Sequence, residues 1–170
     1  ERLGKFGDYL VINVSSPNTA GLRDWQEIKQ LKSLLLACMQ ARADSCPDTP
    51  ILVKIAPDLD NKQVIDVAKL CLEIGVDGMV VCNTTNQRMQ GLRSKNKVET
   101  GGLSGAPLLE RSTECIRLAY GASQGKLPII GVGGVRTGAD VYAKLKAGAS
   151  LVQIYSALAY EGPGLISRLR

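Results

Sequence analysis

The chain has no histidine, so any proton transfer it performs must use another group. It has one phenylalanine and one tryptophan, which leaves an aliphatic core. None of its five cysteines stands in a CxxC pair. Without histidine companions, a zinc site is not expected, and no other metal is either. Cys38, Cys71 and Cys115 fall on apolar helix faces, where cysteine acts as a small hydrophobe. An odd number of cysteines points to a reducing compartment. No run of about 20 apolar residues occurs, so no segment is expected to span a membrane. No signal or transit peptide is visible. The first residue is Glu1 rather than methionine, and the chain opens without a helix or cap. It reads as a piece of a longer protein. The net charge is +5, but the basic residues are scattered and Arg93 to Lys97 is the one local cluster. That cluster reads as a solvated loop, and no nucleic-acid partner is expected.

What is present suits one globular domain of 170 residues, 45% hydrophobic and 22% charged. Short, β-branched, continuously apolar runs predict strands at Tyr9–Val14, Ile51–Ile55, Gly78–Asn83, Pro128–Gly131 and Leu151–Tyr155. Continuous apolarity marks strands buried on both faces, hence a parallel sheet or barrel. Helical spacing fills the gaps. Ile28, Leu31, Leu35 and Cys38 form one stripe, in a segment from about Asp24 to Ala43. Asp60 with Gln63 resembles a capping box before the stripe Val64, Val67, Cys71 and Ile74, and Gly75 closes that helix. Pro107 fits the first turn of a helix carrying Leu109, Ile116 and Tyr120. Thr137 with Asp140 makes a second capping box, before a segment that holds Val141 and Leu145 and ends at Gly148. A last helix is expected from near Gly162 to Arg170. The stretch between Asn83 and Pro107 is long and irregular, as functional loops often are, and its glycines let backbone approach a ligand. Five βα units could come from a (β/α)8 barrel or form an open doubly wound sheet, and spacing alone leaves both open.

The chemistry is expected where strands end. Asn13-Val14-Ser15-Ser16-Pro17-Asn18-Thr19-Ala20-Gly21-Leu22-Arg23 crowds hydrogen-bonding groups after the first strand. Lys54 lies inside an apolar strand, where a lysine is rare unless it is paired with an anion or used in chemistry. It could be a Schiff-base nucleophile or a fixed charge beside an anionic cofactor. Asn83 and Thr84 end the third strand. Cys82 before them reads as packing rather than as a nucleophile. Gly131 to Gly134, followed by the Thr137-capped helix, reads as a phosphate cradle. Tyr155 and Ser156 would supply its second half.

NVSSPNTAGLR, LVKIAPDL, NTT, ETGGLSGAPL, PIIGVGGV and AGASLVQIYSAL occur in this order. Together they resemble the C-terminal part of class 2, quinone-linked dihydroorotate dehydrogenase, over essentially the whole chain. The resemblance implies an FMN-dependent (β/α)8 TIM barrel, of which residues 1–170 supply about the last five units. It implies oxidation of dihydroorotate to orotate in pyrimidine synthesis, with ubiquinone as acceptor. By resemblance, Ser16 is the catalytic base that takes the C5 proton. Class 1 relatives have cysteine there, so Ser16 argues for class 2. Serine alone is a poor base, so a relay through Thr19 or water is expected. Asn13, Asn18, Asn83 and Thr84 match substrate contacts, and Asn13 is also near the flavin. Lys54 matches the lysine beside the flavin ring. Cys82, Gly105, Gly134, Tyr155 and Ser156 match cofactor-binding positions, the last three around the phosphate. Cys82 departs from the threonine common in relatives.

The family meets the membrane surface through an N-terminal segment absent from this chain. That implies the mitochondrial inner membrane in a eukaryote or the cytoplasmic membrane in a bacterium. Two rival readings are a Schiff-base lyase or aldolase on the same fold and a non-catalytic barrel fragment.

Overall fold

The computed structural model describes residues 4–88 and 90–169. The predicted strands appear as β1 (Leu10–Asn13), β2 (Ile51–Ile55), β3 (Gly78–Val81), β4 (Ile129–Val132) and β5 (Leu151–Gln153). All four neighbouring pairs are parallel, in the order β1-β2-β3-β4-β5. A doubly wound sheet reverses its strand order at a switch point. An unbroken sequential order is the wall of a barrel, and the structure removes the open-sheet alternative. β1, β3 and β5 are shorter than expected, and β4 is shifted by one residue. Cys82 N–H still donates to Val132 O at 3.0 Å and Asn83 N–H to Ile55 O at 2.9 Å. The polar residues at the strand ends have already turned into the mouth.

Strand alternation sorts the sheet into two faces. Val53, Ile55, Met79, Val81 and Ile129 pack against the helices in the main core, while Leu52, Val80 and Ile130 form a separate cluster on the other face. The register runs Asn13 to Lys54, Lys54 to Val80, Val80 to Ile130 and Ile130 to Leu151. Lys54 and Asn13 therefore share the face of Leu52, which is the inside of a barrel.

The helices are α1 (Ile28–Ser45), α2 (Asn61–Ile74), α3 (Leu109–Ser123), α4 (Gly138–Lys146), α5 (Ser156–Glu161) and α6 (Leu165–Arg168). α2 has both expected ends. Asp60 and Gln63 close a reciprocal capping box, and Gly75 takes φ 82 at the C-cap. α1 starts later than expected, because Leu22–Gln26 forms a 3-10 turn and Glu27 is extended. Only Leu31 and Leu35 of its expected stripe are fully buried. Tyr120 lies outside the buried face of α3, which is Ser112, Cys115, Ile116, Ala119 and Ser123. In α4 the buried residue is Lys144, whereas Leu145 is exposed. The helix expected from Gly162 is the short α6, and α5 is an additional helix before it, ended by Gly162 at φ 70. Arg170 lies outside the described residues.

Candidate functional site

Two groups of residues meet at the carboxyl ends of the strands. The first is a carboxamide–hydroxyl cluster. Asn13 Oδ1 accepts from Ser15 Oγ at 2.8 Å and from Asn83 Nδ2 at 3.3 Å. Asn83 Nδ2 also donates to Ser15 Oγ at 3.0 Å, and Asn83 Oδ1 accepts from Thr84 N–H at 2.8 Å. Ser15 is fully buried. It had no assigned role in the sequence, yet it joins the ends of β1 and β3. Farther along the loop, Asn18 N–H donates to Ser16 Oγ at 3.3 Å. Among the described residues no bond joins Ser16 to Thr19. The turn at Pro17 folds Asn18 back on Ser16, and the expected link from Ser16 to Thr19 is not formed.

Arg23 braces this loop. Its Nε donates to Ser15 O at 3.2 Å, its Nη2 to Thr84 O at 2.9 Å, and its Nη1 pairs with Asp58 Oδ2 at 2.8 Å. Asp58 also accepts from Thr85 Oγ1. One guanidinium thus ties the loops after β1, β2 and β3. Arg111 does the same for the loop after β2, donating to Pro57 O at 3.1 Å and to Leu59 O. The signals were present but unread: Arg23 closes the first motif, and Asp58 follows Pro57 just past the end of β2.

The second group lines a cavity of about 740 Å³. That lies within the usual range for small-molecule sites, roughly 300–1,000 Å³. Lys54, Cys82, Asn83, Thr84, Gly105, Gly134, Tyr155 and Ser156 all line it; Asn13, Ser16 and Asn18 do not. Asn13 reaches the cavity wall through Asn83. Ser16 and Asn18 sit on the loop beside it, where Gly102 lets two loops touch. A Cβ on Gly102 would stand 2.0 Å from Thr84 Oγ1 and 2.8 Å from Pro17 Cγ. This glycine serves loop packing rather than the ligand approach expected of it. Gly105 does border the cavity, at φ 87 and beside Ser156.

Lys54 is half-buried, and no described residue forms a hydrogen bond or ion pair with its ammonium. Burial lowers its pKa below the usual lysine value, with a smaller opposing effect from Cys82. Burial pushes the Cys82 thiol up, with the neighbouring Cys115 adding to the rise. A thiol held in this form packs rather than attacks.

At the far end, Gly133 (φ 120) and Gly134 (φ 78) turn the chain beneath the cavity. Nothing among the described residues accepts from the Gly133, Gly134 or Val135 N–H groups. Thr137 and Gly138 do not line the cavity, and the Thr137 end of α4 is closed by its own capping box. Asp140 there accepts from the Thr137 and Arg136 N–H groups at 2.8 and 3.0 Å. The second half of the rim is Tyr155 and Ser156, with Ser156 Oγ donating to Ser104 Oγ at 2.9 Å.

The geometry can be set beside known proteins. The family model described as dihydroorotate dehydrogenase matches residues 1–170. A dihydroorotate dehydrogenase (quinone) of Xanthobacter autotrophicus is 54% identical, with 98% of this chain and 48% of that protein covered. A mouse relative, dihydroorotate dehydrogenase (quinone), mitochondrial, is 51% identical over 99% of this chain and 43% of its own length. A crystal structure of the Eimeria tenella dihydroorotate dehydrogenase with ferulenol superimposes with a TM-score of 0.93 at 42% identity. The match covers 99% of this chain and 50% of that one. The chain spans about half the length of the curated relatives it matches. With its whole length matched at about half identity and its strand order that of a barrel wall, the chain belongs to the dihydroorotate dehydrogenase family.

Proposed function

We propose that the protein oxidises dihydroorotate to orotate on FMN and passes the electrons to ubiquinone. Residues 1–170 would be the carboxyl-terminal part of one (β/α)8 barrel. The family implies a flavin, and the observation that carries the reading here is the unpartnered, half-buried Lys54 ammonium in the cavity. A buried cation without a counter-charge is expensive, so a site built this way suits an anionic ligand. The free Gly133 and Gly134 N–H groups and the Ser156 hydroxyl fit the phosphate of that ligand.

The bound flavin would accept a hydride from the substrate. Every other part falls to this chain. Asn13, Asn83 and Thr84 would hold the substrate's polar edge, and Asn18 would close over it from the neighbouring loop. Ser16 Oγ would take the C5 proton, a step that typically contributes roughly 10²–10⁴-fold. Lys54 would place a fixed positive charge where the ring becomes electron-rich. Cys82 and Gly105 would border the cofactor, and Gly134, Tyr155 and Ser156 its phosphate. Quinone contact and attachment to a membrane surface would come from an N-terminal segment outside this chain. The membrane would be mitochondrial in a eukaryote and cytoplasmic in a bacterium.

The test is the visible spectrum of the full-length protein, recorded anaerobically before and after dihydroorotate. A flavin band that bleaches supports the reading. A flavin that stays oxidised defeats the substrate assignment. No flavin at all would favour Schiff-base chemistry on Lys54, detectable by borohydride trapping. In stopped flow, Ser16→Ala should bind FMN normally but bleach at least 100-fold more slowly, as expected for a lost proton acceptor.

A further inference from the structure

Lys144 heads the largest fully buried side chains, at 0% exposure, and it carries a charge. It lies on the side of α4 turned toward β4 and α3. Gly131 on β4 makes room for its stem, since a Cβ there would stand 3.2 Å from Lys144 Cδ. No carboxylate among the described residues pairs with it. Its Nζ donates to Ser112 Oγ at 2.7 Å and to Thr113 Oγ1 at 3.3 Å, both on α3. The titratable groups facing it are Cys82 beyond β3, Asp140 on α4 itself and Cys115 on α3. The Asp140 carboxylate is engaged in the cap of α4.

The hydrogen bonds lead from this ammonium to the cavity. Ser112 Oγ accepts from Lys144, and its one proton is shared between Gly133 O at 3.0 Å and Leu109 O at 3.2 Å, the shorter contact being to Gly133. A trans peptide unit points its C=O and its N–H in opposite directions. Fixing Gly133 O on the buried Ser112 therefore turns the Gly134 N–H away from the core. Gly134 lines the cavity, and no described residue accepts from that N–H. The buried cation thus sits behind the glycine loop, and the unfilled donor sits in front of it.

We infer that Lys144 is a positioning residue for the cofactor phosphate, aiming the Gly134 N–H through Ser112 and supplying from behind the loop the positive charge that the phosphate answers. The inference rests on the flavin reading above. It links two titrations. A phosphate monoester becomes a dianion above about pH 6. Burial lowers the Lys144 pKa to about 8, against the coulombic pull of Cys82, Asp140 and Cys115. The pairing of dianion and ammonium is strongest between those values and weakens as pH rises through about 8.

The experiment compares FMN with riboflavin, which lacks the phosphate, on the flavin-free full-length protein. Dissociation constants are read from flavin fluorescence at pH 7 and 9.5. The wild type should prefer FMN strongly at pH 7 and lose part of that preference at pH 9.5. Lys144→Met should lower FMN affinity on the order of tenfold, a typical coupling between sites, and leave riboflavin affinity unchanged. It should also abolish the pH dependence of the preference. Lys144→Arg should restore part of the affinity, and Ser112→Ala should lose part of it with the charge still present. Equal losses for FMN and riboflavin would reduce Lys144 to a packing role and overturn the inference. So would a wild-type preference that is flat from pH 7 to 9.5, a result that stands even if Lys144→Met fails to fold. A wild type that binds neither flavin would overturn the flavin reading itself, whereas normal binding unaffected by these variants overturns only this inference.

Discussion

On the helix-facing side of the sheet, Val53, Ile55, Met79, Val81 and Ile129 are fully buried and share one core with α2 and α3. On the opposite side of the same strands, Leu52, Val80 and Ile130 form a small cluster of their own. Val11 and Leu151, in register with Leu52 and Ile130, are 37% and 62% exposed. Lys54 and Asn13 stand on that side too. One side is closed by helices that follow each strand in the chain. The other leaves Val11 and Leu151 exposed and carries the half-buried Lys54. Stability should therefore depend mainly on the first side and chemistry on the second, and substitutions can test how cleanly the two separate.

The largest effect is expected on the closed side. Met79→Ala removes a side chain with no exposed surface, at a cost of about 2–5 kcal/mol. Urea unfolding of the full-length protein should show that loss, while the surviving folded fraction keeps its flavin reduction rate. A matching fall in that rate would mean that the two sides are coupled.

Lys54→Met is the converse. Burial holds the folded-state pKa of Lys54 below its unfolded value of 10.5. The charged form is therefore disfavoured by folding, fully so below the folded pKa, and the penalty is gone above 10.5. Removing the charge should leave the melting temperature at neutral pH unchanged or raised. The flavin reduction rate should fall roughly 10²–10³-fold, as for other preorganised charge-stabilising groups. Wild-type reduction should weaken as pH rises through the lowered lysine pKa, and Lys54→Met should lack that alkaline limb.

Arg23 belongs to neither side and spans the loops between them. Arg23→Met strands Ser15 O, Thr84 O and Asp58 together. A lost hydrogen bond to a charged group typically costs about 1.5–3 kcal/mol. The loss should be local. Amide hydrogen exchange should speed up over residues 15–23 and 84–86 but not in β2 or β3. Uniform acceleration would show that the brace supports the whole sheet.

Much of the architecture was legible because it follows from local patterns. Continuous apolar strands, the Asp60 and Thr137 capping boxes and the Gly75 cap are short-range features, and each appears as expected. The cavity residues at strand ends were legible because a parallel barrel gathers its strand ends at one mouth. What stayed hidden depends on partners distant in sequence. Ser15 matters only because Asn83 reaches it, and Arg23 only because Asp58 and Thr84 do. Lys144 drew no role from the sequence, since its segment reads only through Val141 and Leu145. Its burial requires the bare backbone of Gly131 and the hydroxyls of α3, which periodicity within α4 does not reveal.

Thr137 carries the smallest expected effect and marks the limit of local reading. The capping box identified the start of α4 correctly, but a helix start beside a glycine loop is not thereby an anion site. Here the N–H groups of Arg136 and Thr137 already donate to Asp140, and neither Thr137 nor Gly138 lines the cavity. Thr137→Ala should therefore cost about 0.5–2 kcal/mol of stability, the usual worth of such a cap. The FMN dissociation constant should not change. A tenfold loss of FMN affinity would return the end of α4 to the cradle, and would mean that the cap residues shape the loop through Gly134 rather than only the helix behind it.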